Sequence, residues 1–598
     1  MKKTFRFLTL GMLLFAGVLS SFAGTEPTDG PKVNASVGAS VSGGVVVYEV
    51  TGWDATLDAY KVQITGLDYD GLNKEGGVTE LTVQTSFSEK WKTNKYNYYV
   101  EKIIDTDATK KQAFYAATKL TKLVFQADEN AVKTSDFTFS VGNYAFYGCT
   151  KLATLTLPDN VKSIGKYAFQ NTAITSFTIP AKCETIGQNA FYNTQDLKAV
   201  TVSEAGNAVM TELGQQVFCN SYVQTLDLTN ATALTTINDK AFIYDKSQVN
   251  YQLKSVTLPK ATVTLTTDDL HYNHFVSNFT TIGTAFANLT GLTEIKNLEV
   301  SQVAQVNDGA FENCSSLTEL NFPYVANLNH TSKSPFLGCK KLTKLTFADG
   351  WKGIIASNLY ISAGLTEAQQ ATELSYLKNI VFNFKGASDT YLSGVFGTIS
   401  ASAFGNADAK LACSGLTSVV FNNTISNGAA IGASAFQNCA ALNVLKFEKG
   451  FKAYFKFAKN DTQIPAGTIT IGGNAFKGTA LTAVDFKTIE LLPEANKSEM
   501  TIAAGAFACD QLASVTFGNI NFAKLAENSL TINDGAFVSD LLKNVTFAQI
   551  IAADTKGKLT IGDGTNPVFA ATEANPNGVL ETVTFGKIQT PVRDKKVA

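Results

Sequence analysis

The chain has 598 residues, of which 45% are hydrophobic and 17% charged, with a formal net charge of −2. Apolar material is ample for a core. The low, balanced charge leaves no basic stripe of the kind that nucleic acid or an anionic membrane demands, so neither is expected as a partner.

The first residues carry a basic start (Lys2, Lys3, Arg6), an apolar run from Phe7 to Leu19, and Ser21-Phe22-Ala23 with small residues where a signal peptidase reads. This predicts a signal peptide over 1–23 and an exported chain, extracellular or on the cell surface. The apolar run is short for a membrane anchor and no stop-transfer charges follow it. The first cysteine is Cys149, so there is no lipobox. No later stretch approaches the roughly 18 apolar residues of a spanning helix.

Residues 24–44 are rich in Gly, Thr and Pro in their first part and read as a flexible tether. Over 45–110 short alternating runs (Val45–Tyr48, Tyr60–Ile64, Val78–Val83) read as strands of a β-rich N-terminal cap. Within it, Asp68–Glu75 places oxygen-bearing side chains at alternate positions. It fits a calcium loop or an Asp-Gly hairpin turn at Asp70-Gly71.

From 111 to 598 the chain repeats itself. The clearest copy, Val141–Pro158 (VGNYAFYGCTKLATLTLP), sets Ala145-Phe146, Cys149, Leu152, Leu155 and Leu157 at offsets that return at Ala310-Phe311 and at Ala435-Phe436. Most steps between motif phenylalanines are the length of a leucine-rich coil with variable loops. The long step from Phe336 to Phe404 is expected to hide a degenerate coil at Leu377–Phe382, and the long insertions are expected to project as loops. Each copy ends in a short strand whose apolar alternates face inward, a face that one coil cannot bury by itself. The prediction is a repeat solenoid closed at its N-terminal end by the cap.

Eight cysteines in an exported chain invite a disulfide reading. Stacked coils could place Cys314 over Cys339, or Cys413 over Cys439, at about the 4.8 Å strand spacing. Equivalent side chains would then point in parallel, too wide for a good bridge. Buried free thiols are expected.

The outward residue of each strand is mostly Thr, as at Thr156, Thr201 and Thr346, with exceptions at Asp227, Asn321, Lys446 and Asp485. Thr is the exposed residue best suited to a strand; the same row could also serve as a polar recognition surface, and the exceptions are then the better carriers of specificity. These seven residues are the candidate ligand-binding set. Glycan binding would instead need clustered exposed aromatics, and Trp91, Tyr96, Tyr98 and Tyr99 form the one obvious cluster. No catalytic motif is present, and His271 and His274 lack companions for a metal set. No catalytic residue, cofactor or metal is expected.

The run IGKYAFQNTAITSFTIP (Ile164–Pro180) continuing CETIGQNAFYNTQDLKAVTV resembles the BspA-like, treponemal-type leucine-rich repeats of bacterial surface proteins. The shared elements are the I-G-x-x-A-F turn, the Cys or Thr after it, the spaced Leu positions and the Ile-Pro or Leu-Pro strand end. The resemblance covers about Val45 to Lys587. It implies a leucine-rich-repeat right-handed superhelix of about 15–16 coils with a parallel β-sheet on the concave face. It also implies a secreted or surface protein that binds an extracellular protein or cell-surface ligand, such as a host matrix protein or glycan. A structural envelope scaffold without a ligand is the third reading.

Overall fold

The computed structural model describes residues 26–589 apart from 32–35, 38–45, 68–78, 205–208, 243–251, 260–262, 265–273, 276–280, 283–285, 324–326, 348–350, 383–396, 427–429, 456–466, 494–497, 523–527, 554–556, 563–566, 571–579 and gaps of one or two residues. The leader at 1–23, the possible calcium loop at 68–75 and most of the insertions after Phe242 and Phe436 lie outside the described residues. The chain forms two compact units, 1–259 and 260–598.

The first unit begins with antiparallel strands. Val46–Asp54 pairs antiparallel with Ala59–Leu67, and Glu80–Trp91 with Asn94–Ile103. The second hairpin then starts two parallel ladders at once. Glu80–Trp91 pairs in parallel with Lys122–Ala127, which carries Thr154–Thr156 next to it; Asn94–Ile103 pairs with Phe139–Val141, then Val161–Ile164 and Thr185–Ile186. The β-rich segment therefore supplies the backbone partners that the first coil needs. Part of the expected tether is also recruited, because Ser36–Val37 pairs antiparallel with Tyr48 and Glu49 on the open edge of Val46–Asp54.

Beyond it, Ser176–Ile179, Ala199–Val202, Thr225–Asp227 and Ser255–Thr257 stack as parallel strands in unbroken register. The second unit repeats the plan. Glu319–Phe322, Lys344–Phe347, Asn379–Phe382, Ser418–Phe421 and Val444–Phe447 form one parallel sheet, and a second parallel ladder runs from Thr281–Ile282 to Lys558–Ile561. The degenerate coil expected at Leu377–Phe382 is present as Asn379–Phe382. The architecture is a leucine-rich-repeat solenoid built almost wholly of parallel strands.

The turn that carries Ala-Phe explains why the motif reads as it does. Two residues per coil adopt positive φ. One precedes the small residue (Tyr144, Tyr167, Asn189, Gly309, Ser434, Asn474) and the other follows Phe by two (Gly148, Asn171, Asn193, Asn313, Gly338, Asn438). Gly and Asn tolerate that conformation best, and they fill every second position in this set. Between the two, Ala and Phe point into the core with no exposed area, and the Phe N–H donates to the next coil, as from Phe436 to Ala475 O at 2.7 Å.

The rings follow the backbone. In the first unit Phe114, Phe146, Phe169, Phe191, Phe218 and Phe242 stack at 4.8–5.8 Å between centroids. In the second, one stack runs through Phe404, Phe436, Phe476, Phe507, Phe537 and Phe569 at 5.1–5.5 Å. A parallel stack of strand-end rings runs Phe322, Phe347, Phe382, Phe421 and Phe447. Offset-stacked pairs add about 0.5–1.5 kcal/mol each beyond the area they bury.

All eight cysteines are buried and free, as the stacking argument expects. Several of them donate a hydrogen bond across the coils. The Sγ of Cys149, Cys314, Cys339 and Cys509 reaches the carbonyl of the motif Phe one coil back at 3.0–3.1 Å. Thr194 Oγ1 does the same to Phe169 O at 3.2 Å, which accounts for the interchange of Cys and Thr. The long step after Phe336 departs from the expected projecting loop. Tyr360 takes the place of a motif Phe, 5.3 Å from Phe336, and a short helix, Glu367–Glu373, docks by burying Gln370, whose amide donates to Tyr360 O.

Two outcomes follow. Phe436→Ala, in mid-stack, should cost about 3–5 kcal/mol by chemical denaturation, whereas Phe585→Ala, at a half-exposed ring, should cost a small part of that. Burial pushes the thiols of Cys149, Cys183, Cys314 and Cys439 up to about 12. A raised folded pKa means stability that is complete below the ordinary thiol value and withdrawn above it. Unfolding midpoints should therefore fall as pH climbs from about 9 toward 12, and Cys314→Ala should blunt that fall.

Candidate binding surface

In a parallel ladder in register, outward side chains of equivalent positions lie side by side, one strand spacing of about 4.8 Å apart. The candidate residues fall into four such rows. Thr156 sits beside Val124. Thr201 and Asp227 lie between Thr178 and Thr257. Asn321, Thr346 and Lys446 share one row with Val381 and Val420 between them. Asp485 is followed by Thr516, Thr546 and Thr584. The structure thus brings together Thr201 with Asp227, and Asn321 with Thr346 and Lys446, and places the others in separate rows.

Local interactions grade the set. Thr156, Thr201 and Lys446 are exposed; Asp227, Asn321, Thr346 and Asp485 are half-buried. Thr201 and Thr178 hydroxyls meet at 3.1 Å. The Asp227 carboxylate accepts from Thr229 N–H at 2.9 Å and its hydroxyl at 2.6 Å, a turn that ends the strand. Asp485 is held by the Lys487 N–H and ammonium at 2.9 and 2.6 Å. These two carboxylates serve their own turns first. Lys446 approaches Glu448 at 3.7 Å, an exposed pair of little energy. The Thr346 hydroxyl is buried with no hydrogen-bond partner.

The aromatic cluster suggested as a glycan platform is corrected. Tyr98 has no exposed area and Tyr99 is 5% exposed. Tyr98 stacks on Tyr60 and Phe87 at 5.8 and 5.1 Å, and the Tyr99 hydroxyl donates to Asp54 at 2.7 Å. Trp91 and Tyr96 are half-buried. Successive side chains of a strand point to opposite faces, so Tyr98 is buried on one face of the N-terminal sheet and Tyr99 on the other, against Phe137 at 5.0 Å. Burial also pushes the Tyr98 and Tyr99 phenols well above their ordinary value.

The sequence reading missed two features. Tyr144 stacks on Tyr167 at 4.9 Å, and Tyr147 on Tyr115 at 5.0 Å, giving a tyrosine ribbon along the turn edge of the first unit, half-buried except at the buried Tyr115. Its signal is the Tyr directly after Phe or before Ala in Tyr144-Ala145-Phe146-Tyr147. The second is the apolar pair Val381 and Val420, half-buried in the outward row of the second unit. It is visible only once the register is known.

Among the described residues no helix is long and apolar enough to cross a membrane, and no group of three His, Cys, Asp or Glu side chains converges as a metal set would. His271, and the His274 side chain, lie outside what is described.

With the repeat geometry in place, the family model described as BspA type Leucine rich repeat region matches in 6 copies at residues 107–249, 280–410, 392–495 and 452–553. The chain belongs to this family. No curated protein matches it. Among solved structures, a leucine-rich repeat protein from Bacteroides ovatus is similar over 91% of this chain and 98% of its own, at 16% identity and a TM-score of 0.24. One from Eubacterium ventriosum is similar over 79% and 95%, at 17% and 0.26. The pneumococcal vaccine antigen PcpA is similar over 66% and 95%, at 17% and 0.23. Likenesses this distant carry no functional inference.

The two sites separate by mutation. Tyr98→Ala should lower stability by about 3–5 kcal/mol, as a core truncation does. Lys446→Ala should leave the unfolding curve within about 0.5 kcal/mol of the parent, as an exposed substitution does.

Proposed function

We propose that this BspA-type repeat protein is exported, stays outside the cell or on its surface, and binds a protein ligand through the outward face of its parallel sheet, without catalysing a reaction. The proposed organisation is a leader at 1–23, a tether within 24–44, a β-rich cap over 45–110 and the repeat array from 111 on.

One observation carries the binding reading. In the second unit the outward row reads Asn321, Thr346, Val381, Val420, Lys446, with polar residues at both ends and two valines in the middle. The neighbouring outward row reads Glu319, Lys344, Asn379, Ser418, Val444, and Val444 is 37% exposed beside Val420's strand. An apolar centre inside a polar rim is the anatomy of a protein interface. The surface is held by the ladder before any ligand arrives, so little ordering entropy is lost on binding. The half-buried valines would supply the desolvated contact, and Asn321 and Lys446 the directional ones.

The test is saturable binding of the purified chain to an array of matrix proteins, mucins and glycans. Binding to a protein spot is expected, weakened more than about tenfold by Val381→Arg with Val420→Arg while the circular dichroism spectrum stays unchanged. Binding confined to sugars, or full binding by the double variant, would overturn the assignment to this row. Blank spots throughout would favour an envelope scaffold.

A further inference from the structure

The strand Thr582–Gln589 has a ladder partner, Asn544–Ala552, on one side only among the described residues. It gathers several exposed large apolar residues of the second unit: Val583 at 39%, Phe585 at 48% and Ile588 at 58%, with Leu580 just before it at 40%. Phe585 already stacks on Phe547 at 4.9 Å, so the ring ladder stops with one face open. An edge of this kind is a template for another strand.

The residues along this edge are complementary to themselves. If a second copy of the same strand is laid antiparallel with Thr584 opposite Thr584, Val583 falls opposite Phe585, Leu580 opposite Ile588, Thr582 opposite Gly586, and Glu581 opposite Lys587. Apolar meets apolar, acid meets base, and the smallest residue meets a hydroxyl. Shifting the register by one sets Val583 against Thr584 and Phe585 against Thr582. Glu581 meets Lys543 of its own chain at 3.1 Å through Oε1, leaving Oε2 for a second lysine. Rim charges of this kind select register and orientation more than they add affinity.

We propose that two copies of this chain join edge to edge through Thr582–Gln589, antiparallel about a twofold axis at Thr584. The two main sheets then continue into one another, the Phe585 rings enter a shared stack, and the same patch serves both partners, as an isologous contact requires.

Thr584→Cys in the full chain tests the axis. Opposed residues of an antiparallel pair have Cα atoms about 4.5–5.5 Å apart, within disulfide reach, and the native thiols are all buried. Mild oxidation should give a disulfide-linked dimer, while Thr546→Cys, in the same row one strand inward, stays monomeric. Light scattering should return twice the chain mass for the parent and a single mass for folded Phe585→Lys. Lys587→Glu, which opposes two acids, should shift the parent dimer toward monomer. The proposal fails if the parent is monomeric at high micromolar concentration, or if Thr584→Cys cross-links no better than Thr546→Cys. Protection of this edge by the chain's own 590–598, seen in hydrogen exchange of a monomer, would also overturn it.

Discussion

Everything in this molecule depends on one phenylalanine being covered by the next. A single coil offers a ring, one small residue and two or three aliphatic side chains on a strip of backbone, with no opposite layer to close on. Stacking supplies that layer, and the turn is shaped to permit it. Two left-handed residues bracket Ala-Phe, so the chain reverses within a few residues and the ring points inward at the same height in every copy. The residue before the ring is Ala in most copies; Val217 is the bulkier substitute among the stacked turns of the first unit, and Leu359 holds the place before Tyr360. The hydrogen bond from Cys or Thr is a second one to a carbonyl that already accepts a backbone N–H of its own turn, as Phe114 O does from Ala117 and Phe311 O from Cys314. It gives the buried thiol or hydroxyl an acceptor, and a buried polar group left alone costs about 1–3 kcal/mol.

That constraint leaves the outward positions free. The inward alternates Leu320, Leu345, Ile380, Val419 and Leu445 hold the register of the main sheet, and nothing about core packing depends on whether the residue facing out is Asn, Thr, Val or Lys. Specificity can therefore be written on this face without disturbing the fold. The inserted segments have the same licence, and Glu367–Glu373 shows how far it extends: a capped helix sits in the array because buried Gln370 donates to Tyr360 O and accepts from Ser362 N–H.

Much of this was legible in the sequence because its period is set by the core. The coil at Asn379–Phe382 lacks the Ala-Phe signature, yet L-x-x-I-x-F was enough to place it, since the strand-end ring is the feature that stacks. Free thiols followed from parallel side chains. The surface was less legible, and for a physical reason. Whether Tyr98 faces in or out depends on hairpin pairing, where a shift of one residue reverses every side chain. Asp227 looked available, but Thr229, two residues on, closes an Asx turn around it. Val381 and Val420 look like ordinary strand residues until the register lays them between Thr346 and Lys446.

A parallel ladder also has to stop. Where the first unit starts, the problem is met by antiparallel strands: the hairpin Glu80–Ile103 offers one strand to each ladder, and its aromatic face packs against itself. The edge at Thr582–Gln589 is different in kind. Its pattern is the same inward alternation as the strands before it, so every side chain that would be buried by one more coil is exposed instead. Charges at Glu581 and Lys587 flank the apolar part, and on a random encounter they repel like residues of another chain. Only in the antiparallel register centred on Thr584 do they attract while Val583 and Phe585 come together. The features that discourage indiscriminate edge pairing are thus the ones that single out this arrangement.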